Sequence, residues 1–528
     1  MGEIRVLDAV VLVLYFGAMA SMGPLFARRG RTTEGYFLGD RSFPGWLIGF
    51  SMFATSISSI TFLAYPADAF KTSWLRMLPN FTLPIGVLIA SRFFLPFFRR
   101  GKVTSAYEYL EGRFGPNVRL YAACAFVVAQ VIRISMILYL VSELVQELTG
   151  LPPMVSVVVG GVVTSFYTIT GGIRAVLWTD FIQAIVLWVG GVLCILVIAV
   201  HLGGPFEGLA VIVREAIADG KFQFAEYMKD TGTLRPVAWG VSLTEKTVLL
   251  LLLMGLGDWL AEYSSNQNVI QRYCAARSAK QARIAMWICC WFSVPTWALF
   301  MFLGTSLYVF YKAMPVPAAT AMLTGAEKAE GILPYFVLHQ LPPGVSGLVI
   351  AAVLAAAMSS ISSSINGVSA VGVVDIYRRR FVKNRDDKHY VRVAKGIGIT
   401  EAALMIVGAT ILVTVESKTL QDTARILTAL TSGGLLGLYL LGFMTTTANG
   451  KAVGLGIACT LLFTAWVALT GLGWLPEALH SPVESYYAGF LGHLILFVVG
   501  FVLGKVLFKA KADLHNLTVW TQDSAPLD

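Results

Sequence analysis

Runs of about 20 apolar residues recur from one end of this chain to the other, and runs of that length are what a helix needs to cross a bilayer. With 528 residues, 56% of them hydrophobic and 13% charged, and a mean hydropathy of +0.71, the chain has more apolar surface than one core can bury in water. Thirteen stretches qualify: roughly 5–27, 44–66, 75–98, 118–148, 153–170, 176–202, 238–262, 284–311, 344–373, 393–414, 424–447, 450–471 and 484–508. Helices satisfy their own backbone in lipid, so the expectation is an all-α polytopic membrane protein of about 13 transmembrane helices. The connections near 171–175 and 448–450 are very short.

A net charge of +9 invites a nucleic-acid reading, but the basic residues follow alternate loops. One side collects Arg28, Arg29, Arg31 and Arg41, then Arg99 to Arg119, Arg174, Arg272 to Arg283, eight residues between Arg378 and Lys395, Lys451, and Lys505, Lys509 and Lys511. The other side has fewer, among them Arg5, Lys71, Arg76, Lys312 and Lys328. The positive-inside rule makes the first side cytoplasmic, with the N-terminus outside and the C-terminus inside a cell inner (plasma) membrane. That requires an odd number of spans, which 13 satisfies. The first apolar run has neither a positive n-region nor a small-residue cleavage site, so no removed signal peptide is expected. The six cysteines fall in or beside spans and suggest no disulfide framework or metal site, and the six histidines are scattered. No nucleophile with a matched base stands out, so an enzyme is not expected, and the bilayer rather than nucleic acid is the expected partner.

Polar residues inside spans are costly and therefore informative. The run Ser359-Ser360-Ile361-Ser362-Ser363-Ser364 lies in an otherwise apolar stretch. Ser359, Ser362 and Ser363 stand at i, i+3 and i+4, so their oxygens share one helix face, an arrangement suited to a hard cation. The alternative is small packing residues bonded back to their own helix. A second polar stretch, Phe53-Ala54-Thr55-Ser56-Ile57-Ser58-Ser59-Ile60-Thr61, carries five hydroxyls and is a point where a helix can unwind, leaving carbonyls to hold a cation. Arg133 lies about 22 Å along its span. A guanidinium at that depth wants a bidentate anion, either a substrate carboxylate or a structural partner. Asp180 reads equally as part of a cation site and as a charge at a helix N-terminus. Asp258 and Glu262, at i and i+4, are a cation-binding pair, a solvated face, or partners for Arg76.

Three stretches together carry a family resemblance: Gly171-Gly172-Ile173-Arg174-Ala175-Val176-Leu177-Trp178-Thr179-Asp180, Asn268-Val269-Ile270-Gln271-Arg272-Tyr273 with Ala275-Ala276-Arg277-Ser278, and Ala355 to Asn366. Over nearly its whole length the chain resembles the sodium/solute symporters, the family of the sodium-glucose, proline and sialic acid transporters. Within that family, Ser58-Ser59-Ile60-Thr61-Phe62, Thr104-Ser105-Ala106-Tyr107-Glu108-Tyr109-Leu110-Glu111 and the serine run are most similar to bacterial sodium/sialic acid symporters.

The resemblance implies a LeuT-like core of two inverted five-helix repeats, about 44–202 and 238–447 with an outer loop between. A peripheral first helix and loop (1–43), peripheral C-terminal helices (448–508) and a cytoplasmic tail (509–528) complete the chain. It implies a first sodium site from the carbonyls of Ala54, Ile57 and Ala356 with the hydroxyls of Ser359 and Ser360. A second sodium site maps to Asp180, Ser359, Ser362 and Ser363. The solute carboxylate maps to Arg133, Ser58 and Thr61 with Ser56 nearby. Arg76 and Asn80 stand where the pattern has Phe and Gln, and Asp258 and Glu262 replace uncharged residues. The implied activity is sodium-coupled import of an anionic sugar, best matched by sialic acid, with two sodium ions per cycle and no organic cofactor, by a monomer. The alternatives are a monocarboxylate or neutral-sugar symporter and a transporter-like membrane sensor.

Overall fold

The structure is a computed structural model that describes residues 5–27, 30–101, 103–228, 233–414, 434–508 and 513–522. Among the described residues, ten helices are long and apolar enough to cross a membrane, or eleven when a bent pair is taken as one span. In chain order the helices that build the molecule are α1 (Val6–Phe26), α2 (Gly45–Ser56), α3 (Ser59–Lys71), α4 (Leu75–Arg100), α5 (Pro116–Thr149), α6 (Pro153–His201) and α7 (Val248–Ser265). They continue as α8 (Gln267–Cys274), α9 (Ala279–Ala313), α10 (Val345–Phe381), α11 (Asp387–Thr414), α12 (Leu435–Met444), α13 (Gly450–Gly471) and α14 (Ala488–Val506).

Most expected spans coincide with these helices, and three differ. The stretches 153–170 and 176–202 form the single helix α6, interrupted at Gly172, whose φ of 59° and ψ of −156° only glycine adopts readily. A Cβ there would sit 2.8 Å from the Tyr36 carbonyl oxygen, so the site admits no larger residue without movement. The span expected from 238 begins instead at Val248, because the polar residues Ser242, Thr244, Glu245 and Lys246 keep residues 238–247 in irregular structure. Before it, the strands β1 (Ala225–Met228) and β2 (Thr233–Pro236) pair antiparallel, Ala225 opposite Pro236. The first part of the expected span 424–447 lies outside the described residues, as do Arg28, Arg29, Lys509 and Lys511.

α10 is the centre of the bundle. In its apolar window 89% of residues are buried, against 22% for α1 and 28% for α14, which face lipid. α10 packs on α1, α2, α5, α6 and α11. Its N-terminus is capped from another helix: the buried Asp8 of α1 accepts the Gly344 and Gly347 amides at 2.7 and 2.8 Å and the Ser346 hydroxyl at 2.8 Å. Orphan amides and the positive end of the helix dipole make a carboxylate favourable there. Asp8→Ala is expected to lower the melting temperature, costing about 2 kcal/mol, because two amides lose their acceptor. Asp8→Asn, which retains an acceptor oxygen, is expected to lose less; equal melting of all three proteins would show that the cap is not made.

Candidate functional site

The site forms where the broken span crosses α10. In α2, Thr55 Oγ1 donates to the Ser51 carbonyl at 2.8 Å and Ser56 Oγ to the Met52 carbonyl at 3.0 Å, local bonds that weaken the helix at its end. Ile57 and Ser58 are extended (φ/ψ −98°/120° and −114°/173°), and α3 then starts in a new direction. Gly45–Ser56 and Thr61–Lys71 meet at 56°.

Against this break α10 presents its serines. Ser359 Oγ donates to the Ala54 carbonyl at 2.9 Å and to the Ala356 carbonyl at 3.0 Å, and Ser360 Oγ lies 3.4 Å from the same Ala356 oxygen. Four of the five residues expected for the first sodium site thus share one cluster of oxygens, and the fifth, Ile57, sits at the break itself. Such a set of carbonyl and hydroxyl oxygens suits a hard cation.

The second expected set is arranged around a residue that the sequence reading had counted among the cytoplasmic loop charges. Arg272 is fully buried, with its side chain 1% exposed. Its guanidinium donates to Asp180 Oδ2 at 3.0 Å, Ser363 Oγ at 2.5 Å, Ser51 Oγ at 2.7 Å and the Asn268 carbonyl at 2.7 Å. Ser51 Oγ donates in turn to Asp180 Oδ2 at 2.5 Å, and Thr55 Oγ1 lies 3.0 Å from Ser363 Oγ. Asp180 and Ser363 are therefore joined through Arg272, while Ser362 and Ser363 bond back to the Ser359 carbonyl at 3.1 and 2.6 Å. Among the described residues Asp180 Oδ1 has no partner at hydrogen-bonding geometry. Asp180 lies within α6, eight residues and so about two turns past the break at Gly172.

Arg272 is inside because α8 is inside: every residue of this short helix is buried. Arg41 and Arg99 close its carbonyl end at Cys274, each at 3.3 Å, the favourable place for cations on a helix. Gln271 Nε2 fastens it to Asn366 Oδ1 of α10 at 2.7 Å and to the Phe37 carbonyl at 2.8 Å. The signal in the sequence was an arginine flanked by Val269, Ile270, Tyr273 and Cys274, an apolar setting for a loop charge. Ser51, Thr55 and Arg272 are the site residues that sequence reasoning missed. Ser364 belongs to neither sodium set and donates to the buried Glu401 at 2.8 Å.

Of the residues expected to bind solute, Arg133 is half-buried on α5 and makes no hydrogen bond or ion pair among the described residues. α5 touches α3, which carries the buried Thr61 and follows Ser58. Ser56 also lies 3.9 Å from Cys289 Sγ. Arg76 is held elsewhere: it pairs with Asp68 and lies 5.6 Å from the Tyr65 ring centre. Asn80 donates to the Tyr65 hydroxyl at 2.8 Å. The Arg76 charge, on α4, is thus neutralised by Asp68 of α3 and is not paired with Asp258 or Glu262; Glu262 accepts from Asn266 Nδ2 at 2.9 Å, and Asp258 is exposed.

A broken membrane helix whose carbonyls meet hydroxyls of a buried central helix is the arrangement of an ion-coupled secondary transporter. The chain belongs to the sodium:solute symporter family, whose model matches residues 36–455. It is 30% identical over 508 residues to the sodium/sialic acid symporter NanT of Aliivibrio fischeri, covering 95% of this chain and 94% of that protein. It is 31% identical over 506 residues to the sodium/sialic acid symporter SiaT of Proteus mirabilis, covering 96% of each. The structure of a Na+-coupled sialic acid symporter in a substrate-bound outward-open state superposes with a TM-score of 0.85 at 29% identity, covering 96% of this chain and 99% of that one. The protein is a multi-pass, sodium-coupled membrane symporter with a LeuT-like fold and is not an enzyme.

Proposed function

We propose that the transporter imports an anionic sugar of the sialic acid class with two sodium ions by alternating access. The observation that carries the reading is Arg133, a half-buried guanidinium with no ion-pair partner among the described residues, on a membrane helix that packs against the one that follows Ser58 and bears Thr61. A carboxylate is its natural bidentate partner. The sialic acid symporters that resemble the chain end to end support the choice of sugar.

The first sodium ion is held by Ala54, Ile57, Ala356, Ser359 and Ser360. The second draws on Asp180, Ser359, Ser362 and Ser363, and Asp180 Oδ1 is the oxygen available to it, since Oδ2 serves Ser51 and Arg272. Sodium fastens the broken span to α10 and favours the solute-binding state, so each ligand raises the other's affinity by the same factor. Arg76 and Asn80 act indirectly, through Tyr65 and Asp68, on the rim of the solute cavity. The repeats divide at about 44–202 and 238–447, the N-terminus is outside, the C-terminus is cytoplasmic, and the working unit is a monomer in the inner membrane.

Purified protein in liposomes is expected to accumulate labelled sialic acid when an inward sodium gradient is imposed, with unlabelled monocarboxylates and neutral hexoses competing poorly. Accumulation of a monocarboxylate in place of sialic acid would replace the cargo assignment.

A further inference from the structure

Among the described residues Lys221 is the only lysine that is fully buried, at 2% exposure. It lies outside the spanning helices, in the connection between α6 and α7, just after the amphipathic helix Pro205–Ala218. Its ammonium donates to the Phe70 carbonyl at 2.7 Å and the Thr72 carbonyl at 3.3 Å, and sits 3.8 Å from the centre of the Tyr308 ring. Those carbonyls are at the end of α3, where a helix has no internal partners for its last oxygens. A cation there opposes the negative end of the helix dipole, and the Tyr308 face adds a cation–π contact.

The residues that follow extend the grip. Gln223 accepts the Trp74 amide at 3.1 Å, the Ser73 hydroxyl donates to the Ala225 carbonyl at 2.6 Å, and the Ala225 amide returns to Ser73 Oγ at 3.0 Å. The segment from Lys221 to Ala225 is thus a strap across the end of α3 farthest from the break. α3 is 13 residues long and continuous through Pro66, so the strap lies about 20 Å from Ser58 along one helix.

We propose that Lys221, in its charged form, is a positioning residue for α3, fixing the direction of that half-helix and so the sodium affinity of the break at its other end. The inference rests on sodium binding at Ala54, Ile57 and Ser359. Among the described residues no carboxylate hydrogen-bonds the ammonium. Asp219, at the end of the helix Pro205–Ala218, accepts instead from the Tyr308 hydroxyl at 3.1 Å and from Lys312 of α9 at 2.6 Å, and Lys312 also reaches Glu215 at 3.3 Å. The ammonium of Lys71, on α3, lies against Gly325. Burial pushes Lys221 down to about 7, with Asp219 opposing the shift. The lysine is therefore charged below pH 7 and loses its charge, and its hold on the carbonyls, as pH rises above it.

The test is the sodium concentration that gives half of the sodium-induced rise in melting temperature, measured on the full-length protein from pH 6 to 8. For the unaltered protein it is expected to rise about tenfold, the factor imposed when the competent form falls to roughly a tenth one pH unit above the midpoint. Lys221→Arg keeps its charge throughout and is expected to hold the low-pH value across the range. Lys221→Met is expected to hold the weak, high-pH value. A flat profile for the unaltered protein, or a Lys221→Met profile parallel to it, would overturn the proposal, since a packing role alone leaves the slope untouched. A protein that responds to sodium at every pH but with no slope fails only this inference. One that ignores sodium at every pH fails the sodium-site reading as well.

Discussion

Replacing Arg133 with alanine is expected to abolish sodium-driven uptake of a carboxylate solute while leaving sodium binding intact. The guanidinium has no partner to lose among the described residues, so on the proposed reading the substitution removes a contact made to solute and should not unfold the chain. A desolvated arginine–carboxylate pair broken on one side costs about 3–5 kcal/mol, which corresponds to solute binding weaker by a factor of roughly 100 or more. Arg133→Lys keeps the charge but not the two-pronged geometry, so an intermediate loss is expected. Solute dissociation constants and uptake rates in liposomes, with sodium titrated separately, decide the matter. Transport by Arg133→Ala at the unaltered rate would remove Arg133 from the solute site.

The second large effect belongs to Asp180. Asp180→Ala leaves Arg272 buried without its carboxylate, and removing one member of a buried pair costs about 3–5 kcal/mol, so a marked fall in melting temperature is expected. Arg272→Met is expected to be similarly damaging. Combining Asp180→Asn with Arg272→Met removes both charges and should cost less than the two single changes added together, the mark of a direct pair. The cation role is read differently. Asp180→Asn retains a side chain of the same shape, and the sodium Hill coefficient for uptake is expected to fall toward one. A coefficient equal to that of the unaltered protein would reject the second sodium site and leave Asp180 with a purely structural partnership.

The positions of the spans were legible because hydropathy is local: α1, α4, α5, α9, α10, α11, α13 and α14 fall where apolar runs predicted them. The serine run and the polar stretch at 54–61 were legible for the same reason, since a membrane helix gives hydroxyls in such numbers no local use. The partners were not. Ser359 meets Ala54 across 305 positions of chain and Arg272 meets Asp180 across 92, distances over which periodicity carries no information. Loop charges are assigned by neighbours in sequence, whereas the location of Arg272 is set by Arg41 and Arg99 holding α8 from other elements and by Gln271 of α8 reaching Phe37 and Asn366. Asp8 was invisible as a cap because its acceptor role exists only once α10 begins beside it.

The Asp8 cap and the burial of α10 on all sides make that helix a stator. The broken span beside it is the part divided into two pieces, and it meets α10 directly through the Ala54 carbonyl and the Thr55 hydroxyl, while Ser51 and Ser363 share the buried Arg272 between the two helices. The Ser359–Ala54 contact is then a shear plane. Any sliding or tilting of α2 past α10 must part those two oxygens, so on the proposed sodium-site reading an ion bridging them would act as a friction lock on the stroke, freed by the displacement that separates them.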